Sequence, residues 1–155
     1  MSRAPKTPAN SLPDLHCPCA NLRRAARLVT QLYSREMGAA IEPPQFALLT
    51  ALNTRPGASQ SPLGRALGLD KTTMSRNLKL MEKNGWIIPS DSEDKRERGY
   101  HLTPAGQKIL TATKPGWSRA QTKLRTAMSS ADWETMSEII GRVTEAAQSA
   151  LQTND

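Results

Sequence analysis

Apolar residues recur every three to four positions along most of this chain, and the recurrence breaks at a small set of Pro, Gly, Ser and Asp residues. From about Pro18, Leu22, Ala26, Val29 and Tyr33 fall on one helical stripe with Arg23, Arg24 and Arg27 off it, and Gly38 stands near the end. Pro43-Pro44 suits a first helical turn. Phe46, Leu49 and Leu52 then point inward until Arg55-Pro56-Gly57 stops the pattern. Ser61, followed by Pro62, reads as the N-cap of a short helix with Leu63, Leu67 and Leu69 as its apolar contacts. Asp70 reads as the cap of the next helix, with Met74, Leu78 and Met81 inward and Gly85 at its end. Trp86-Ile87-Ile88 and Tyr100-His101-Leu102 read as short strands flanking a charged loop. Thr103-Pro104 opens a helix through Ile109 and Leu110, which Pro115 is expected to kink or interrupt before Trp117, Ala120 and Leu124 resume it. The pattern Ser129-x-x-Asp132 starts a last helix, whose Trp133, Met136, Ile140, Val143, Ala147 and Leu151 repeat at close to heptad spacing.

These elements predict a mainly α fold with a small β-wing. The order helix, turn, helix, hairpin, helix between Ser61 and Gly106 is that of a winged helix-turn-helix, flanked by helices at both ends of the chain. Residues 1–16, rich in Pro, Ser, Ala and Asn, read as a flexible arm. Residues 17–155 read as one domain, with 43–103 as the winged lobe and 17–40 and 104–152 as flanking helices that need something to pack against. With 155 residues, 37% hydrophobic and 4% aromatic, the chain has a thin core for its length, which favours a partner subunit covering the end helices.

Charge sharpens this picture. The net charge is +7, yet residues 127–155 hold five acidic residues and one basic one, so the first 126 residues carry +11. A basic body with an acidic terminal helix suits a protein that offers one side to a polyanion and another to protein. No apolar run approaches the roughly 20 residues that span a bilayer, and no apolar signal core opens the chain, so a cytoplasmic location without membrane contact is expected.

The candidate chemistry lies on the helix after Asp70. With residues about 100° apart, Met74, Leu78 and Met81 fall within about 60° of each other, and Thr72, Thr73, Arg76, Lys79 and Lys83 take the opposite side. Arg matches the O6/N7 pair of guanine, and Thr offers a hydroxyl or a methyl contact. Thr72, Thr73 and Arg76 are the expected base readers, with Lys79 and Lys83 on the backbone. The loop DSEDKRER carries both signs. Asp94 and Glu97 are expected to brace neighbouring arginines, leaving Arg96 first, or Arg98, for a narrow minor groove.

The stretches LGLDKTTMSRNLKLMEKNGW and DKRERGYHLTPAG resemble the MarR (multiple antibiotic resistance) family of winged-helix transcriptional regulators. The second is similar to that family's Asp-x-Arg wing motif followed by Leu-Thr-x-x-Gly, matched by Asp94, Arg96, Leu102, Thr103 and Gly106. The resemblance covers roughly residues 17–151. It implies a homodimer whose terminal helices interlock, each subunit placing a recognition helix in the major groove and a wing in the minor groove of a palindromic operator. It further implies a repressor relieved by a small aromatic or phenolic effector between dimer and DNA lobes, with Tyr33, Phe46 and Trp117 as pocket-lining residues. The position of Asp94 implies a brace for Arg76 or Arg98. One departure stands out: Ile88-Pro89-Ser90 occupies a stretch where many members carry a strand arginine and a loop one residue longer, which implies a shorter wing.

His16-Cys17-Pro18-Cys19 precedes the first helix. Cys17 and Cys19 there read as reactive thiols favoured by a helix N-terminus beside Arg23 and Arg24, as two sulfurs of a metal site, or as interface packing. Similar regulators that sense peroxide through an early cysteine make oxidation a second route of relief. A third and fourth metal ligand are not evident, so no metal site is assigned, and no cofactor is expected. A Cys17–Cys19 disulfide would close a strained ring. His101 reads as structural, and no phosphate-cradling loop, nucleophile elbow or HExxH motif marks an enzyme. The expectation is a sequence-specific regulator of double-stranded DNA. Its rivals are an architectural or activating DNA binder of the same fold, and a winged-helix protein–protein module without specific DNA binding.

Overall fold

The computed structural model describes residues 16–91 and 96–152. Six helices and one hairpin follow each other as α1 (Pro18–Met37), α2 (Pro43–Thr54), α3 (Gln60–Leu67), α4 (Lys71–Lys83), β1 (Ile87–Ser90), β2 (Gly99–Leu102), α5 (Pro104–Thr126) and α6 (Ser130–Gln152). The strands pair antiparallel, Ile87 opposite Leu102 and Ser90 opposite Gly99. Pro89 sits within β1, which runs along the outside of the hairpin, where a missing N–H is tolerated. The other side of β2 bonds the α2–α3 loop: the Gly57 amide donates to the Tyr100 carbonyl at 2.9 Å, and the Tyr100 amide to the Ala58 carbonyl at 3.2 Å.

Local sequence explains most boundaries. Pro18 and Pro43 occupy first-turn positions, and Glu42 and Gln45 form a reciprocal capping box at the start of α2. Gly68 ends α3 in the left-handed region, with φ 63° and ψ 30°, which turns the chain directly into the Asp70 cap of α4. Two expectations need correction. The N-cap of α3 is Ser59, two residues before Ser61, because the Ser59–Gly99 bridge fixes the chain there and lets the helix start at Gln60. Pro115 does not interrupt α5. The bond it cannot donate would end on the Thr111 carbonyl, and both residues face solvent, so water can satisfy that oxygen while packing against α1 holds the helix together.

The core lies between α2, α3, α4 and the hairpin. Leu48, Leu49, Leu52, Met74, Leu78, Met81 and Ile87 are its most completely buried large side chains. From this lobe α5 runs outward, touching β2 and α2 and then packing along α1. The α1–α5 crossing is close: a Cβ on Gly116 would stand 2.5 Å from the Glu36 carbonyl oxygen and 2.8 Å from the Met37 Cα. Beside it, Glu36 receives Lys123 at 2.6 Å and lies 3.7 Å from Arg119, while the Arg119 guanidinium donates to the Glu36 carbonyl at 2.8 Å.

The terminal helices leave apolar surface uncovered. No residue of α6 is buried, with Ile140 at 50% and Leu151 at 78% exposure, and Leu22 and Leu28 of α1 are also exposed. No helix among the described residues is long and apolar enough to cross a membrane.

Two glycines separate close packing from free helix surface. Gly116→Ala is expected to cost about 1–3 kcal/mol by forcing α1 and α5 apart. Gly141→Ala, on α6 with nothing within 4 Å of the new Cβ, should stabilise by about 0.5–1 kcal/mol. Urea denaturation of the two variants measures both; a neutral Gly116→Ala would refute the close crossing.

Candidate nucleic-acid interface and adjoining cavity

The interface is built on α4. Its N-terminus is fixed by Asp70, whose carboxylate accepts the Thr73 amide at 2.9 Å and the Thr73 hydroxyl at 2.6 Å. Its inner face is anchored by Met74, Leu78 and Met81, at 0, 2 and 0% exposure. The opposite face therefore has to look outward. Thr72, Arg76, Lys79 and Lys83 are exposed and Thr73 half-buried, in the arrangement expected from helical spacing. Thr73 differs in one respect: its hydroxyl proton is committed to the cap, so it offers outward only a methyl group and an accepting oxygen. Among the described residues, Arg76, Lys79 and Lys83 form no ion pair. Near the α3–α4 turn, Gln60 donates to the Lys71 carbonyl at 3.0 Å, and Gln60, Ser61, Gly64, Arg65 and Lys71 line a cleft of about 270 Å³. Arg65 of α3 and Lys71, the first residue of α4, thus add two cations near the start of α4.

The exit of α4 is welded to the start of α5. The Thr103 hydroxyl donates to the Gly85 carbonyl at 2.5 Å, the Thr103 amide to the Trp86 carbonyl at 3.0 Å, and the Thr103 oxygen in turn accepts the Gly106 amide at 3.0 Å. A Cβ on Gly106 would run into the Trp86 carbonyl. These contacts give the Leu102-Thr103-x-x-Gly106 motif a mechanical meaning: it locks the exit of α4 to the long helix α5 behind it.

At the wing, Arg96 and Arg98 are exposed. Asp94 lies outside the described residues, as does Lys95. Glu97, expected to brace an arginine, places its carboxylate on the first turn of α3, accepting the Ser61 amide at 3.0 Å and the Ser61 hydroxyl. This wing-root contact had no signal in sequence, because it joins residues 36 apart through loop geometry. Hydrogen bonds from Ser61 hold the Glu97 carboxyl below the usual range, and those from Thr73 do the same for Asp70.

Tyr33, Phe46 and Trp117, expected from three different helices, converge on one cavity of about 490 Å³. Phe46 and Trp117 stack with ring centroids 6.2 Å apart, and the Tyr33 hydroxyl donates to the Gln121 side chain at 2.6 Å. Burial raises the Tyr33 hydroxyl above its ordinary pKa, so it stays protonated. Val29, Thr30 and Met37 of α1 and Pro43, Ala47, Thr50 and Ala51 of α2 complete the lining. The aromatic members alone stand out in sequence, although Val29, Tyr33 and Met37 share one helical stripe.

Cys17 is the N-cap residue of α1 without a side-chain cap bond, and Cys19 lies in its first turn; both are free and exposed. Among the described residues no three His, Cys, Asp or Glu side chains gather as a metal site. His101 is half-buried beside Gly57.

A helix-turn-helix closed by a two-stranded wing, with an outward Thr/Arg/Lys face on its second helix, defines a winged helix-turn-helix protein. Residues 41–97 match the MarR family model. In Escherichia coli O157:H7, transcriptional regulator HosA is 38% identical over 73 residues, which cover 46% of this chain and 54% of HosA, so the chain spans about half the length of that relative. The crystal structure of the transcriptional regulator MosR from M. tuberculosis in complex with DNA superposes with TM-score 0.77 at 27% identity, covering 86% of this chain and 98% of that one. PcaV from Streptomyces coelicolor, in complex with its natural ligand, shares the fold with TM-score 0.77 at 23% identity, covering 88% and 99% of the two chains. Over its winged lobe the chain is thus similar to the MarR family, and over most of its length it shares the fold of these regulators.

The two carboxylates give a pH prediction. Each has a folded-state pKa below its unfolded value, near 3.8 for Asp70 and 4.5 for Glu97. Their stabilisation is therefore complete above the unfolded values and is lost as pH falls through the lower folded values. Asp70→Ala and Glu97→Gln should each lower the melting temperature at neutral pH and shrink its further fall on acidification. A variant whose Tm falls with acid as steeply as the parent's would contradict this.

Proposed function

We propose that this protein is a homodimeric, sequence-specific regulator of double-stranded DNA, acting in the cytoplasm as a repressor that a small aromatic effector relieves. The observation that carries the reading is the α4 face: Thr72, Arg76, Lys79 and Lys83 project from a helix whose other side is locked into the core and capped at its start. Thr72 and Arg76 read base edges in the major groove, with the Thr73 methyl beside them, while Lys79 and Lys83 hold phosphates. Arg96 and Arg98 bring the wing to the minor groove, with Asp94 as its brace. Residues 17–40 and 104–152 form the dimer layer, whose uncovered Leu22, Leu28, Ile140 and Leu151 meet the partner, and residues 43–103 form the DNA lobe. Two such lobes related by a two-fold axis fit a palindromic operator. MosR in its DNA complex and PcaV with its ligand support this reading by likeness, and no catalytic role is assigned.

Fluorescence anisotropy with the duplex upstream of this gene, against random duplex at physiological salt, tests it. Binding no tighter to the upstream duplex would reject DNA regulation in favour of a protein–protein module. Arg76→Ala should cost about 1–3 kcal/mol on the preferred site and relax its sequence preference. Lys83→Ala should weaken all duplexes alike and reduce the log–log salt slope by about 0.9 for each phosphate left without its cation.

Cys17 and Cys19 carry the second proposed route of relief, since exposed thiols at a helix start are open to oxidants. Peroxide should weaken operator binding by the parent and spare the Cys17→Ser/Cys19→Ser double variant. Equal operator affinity before and after peroxide would remove oxidation from the mechanism.

A further inference from the structure

We propose that the cavity between α1, α2 and α5 selects an uncharged aromatic effector bearing a hydrogen-bond donor, such as a neutral phenol, and rejects aromatic carboxylates. This rests on the effector reading above and narrows it to a charge class.

Three observations converge. No residue lining the cavity is charged: the surface is formed by Val29, Met37, Pro43, Ala47, Ala51 and the Phe46–Trp117 stack, with only three hydroxyls. A carboxylate moved against such surroundings gives up part of its hydration without gaining a counter-charge, which disfavours the anion. Lys123 and Arg119 of α5 do not line the cavity and are directed instead at the Glu36 side chain.

The hydroxyls set the polarity of the contacts the lining offers a ligand. Tyr33 donates its proton to Gln121, and Thr50 donates to the Phe46 carbonyl at 2.8 Å. Both oxygens can then only accept, so they match a ligand O–H or N–H and not a ligand oxygen that needs a donor. The Thr30 hydroxyl has no hydrogen-bond partner among the described residues. The volume of about 490 Å³ falls within the range of roughly 300–1,000 Å³ of small-molecule sites. The stacked rings supply flat apolar walls for an aromatic body.

The test uses three probes that differ by one feature each: methyl 4-hydroxybenzoate, its free acid 4-hydroxybenzoate, and methyl 4-methoxybenzoate, which lacks the donor. Isothermal titration calorimetry of the full-length protein at neutral pH is expected to give the phenolic ester an affinity at least about tenfold above that of the acid and of the methoxy ester. Thr30→Arg, which adds a cation on an exposed position of α1, should reverse the preference toward the acid. Tighter binding of the acid by the parent protein overturns the charge selection while leaving the cavity as an effector site. Equal binding of phenolic and methoxy esters overturns the donor requirement. Absence of heat with all three probes, while operator binding is intact, overturns this inference and the effector reading together. Should Thr30→Arg not fold, Ala47→Trp, which fills the cavity, is expected to abolish binding of the phenolic ester; unchanged affinity there overturns the assignment of the site.

Discussion

Thr103 is the residue through which the two halves of this molecule hold each other. Its side chain and amide take the carbonyls of Gly85 and Trp86, just past the end of α4, and its oxygen caps the first turn of α5. A helix terminus leaves carbonyls without partners, and a free end would swing. Here the chain just past α4, at Gly85 and Trp86, is held to the start of the long helix that joins the two halves. Gly106 lets the backbones meet at that point, since any Cβ would collide with Trp86. The direction of α4 is thereby tied to the direction of α5, and α5 is tied to α1 by the close crossing at Gly116 and by Glu36 with its two cations.

A second consequence follows at the wing. Glu97 bonds the first turn of α3, so the hairpin is attached at its root to the helix that precedes α4. The α2–α3 loop closes the same region by bonding β2 through Gly57 and Ala58. α4, the wing root and α3 are thus bonded into one unit, and on the proposed function that unit is the reading head to which the sequence preference belongs.

Much of this was legible in the residue pattern, and the failures have physical causes. Met74, Leu78 and Met81 announced the inner face of α4 because a helix wheel has no other place for them, and Asp70 announced its start. Ser61 misled because a Ser-Pro pair is a strong local cap signal, whereas the actual boundary is set by a long-range bridge from Ser59 to Gly99. Pro115 misled for a similar reason: the local rule counts a lost hydrogen bond, but tertiary packing against α1 and solvent access at Thr111 outweigh it. The cavity was half legible. Its aromatic members stood out by type, while its small members, Ala47 and Ala51, acquire meaning only as the space they leave empty. The Glu97–Ser61 bond was invisible, since nothing in the chain marks which acid a wing root turns inward.

The cavity sits where the long helix α5 meets the reading head. Phe46 belongs to α2, inside the lobe, and Trp117 belongs to α5, and the two rings lie 6.2 Å apart. A ligand alters an equilibrium only by the difference in its affinity for the two states, about 1.4 kcal/mol for each tenfold. On the proposed reading that difference arises at this stack, because a flat molecule between α1, α2 and α5 fits one spacing of α2 and α5 better than another. On the same reading, a change in that spacing is passed to α4 through the Thr103 bonds and through the core that α2 and α4 share, and in a two-fold dimer it would act on both reading heads at once. The controlled variable is then the distance between two recognition helices, and the cavity needs no contact with DNA to set it.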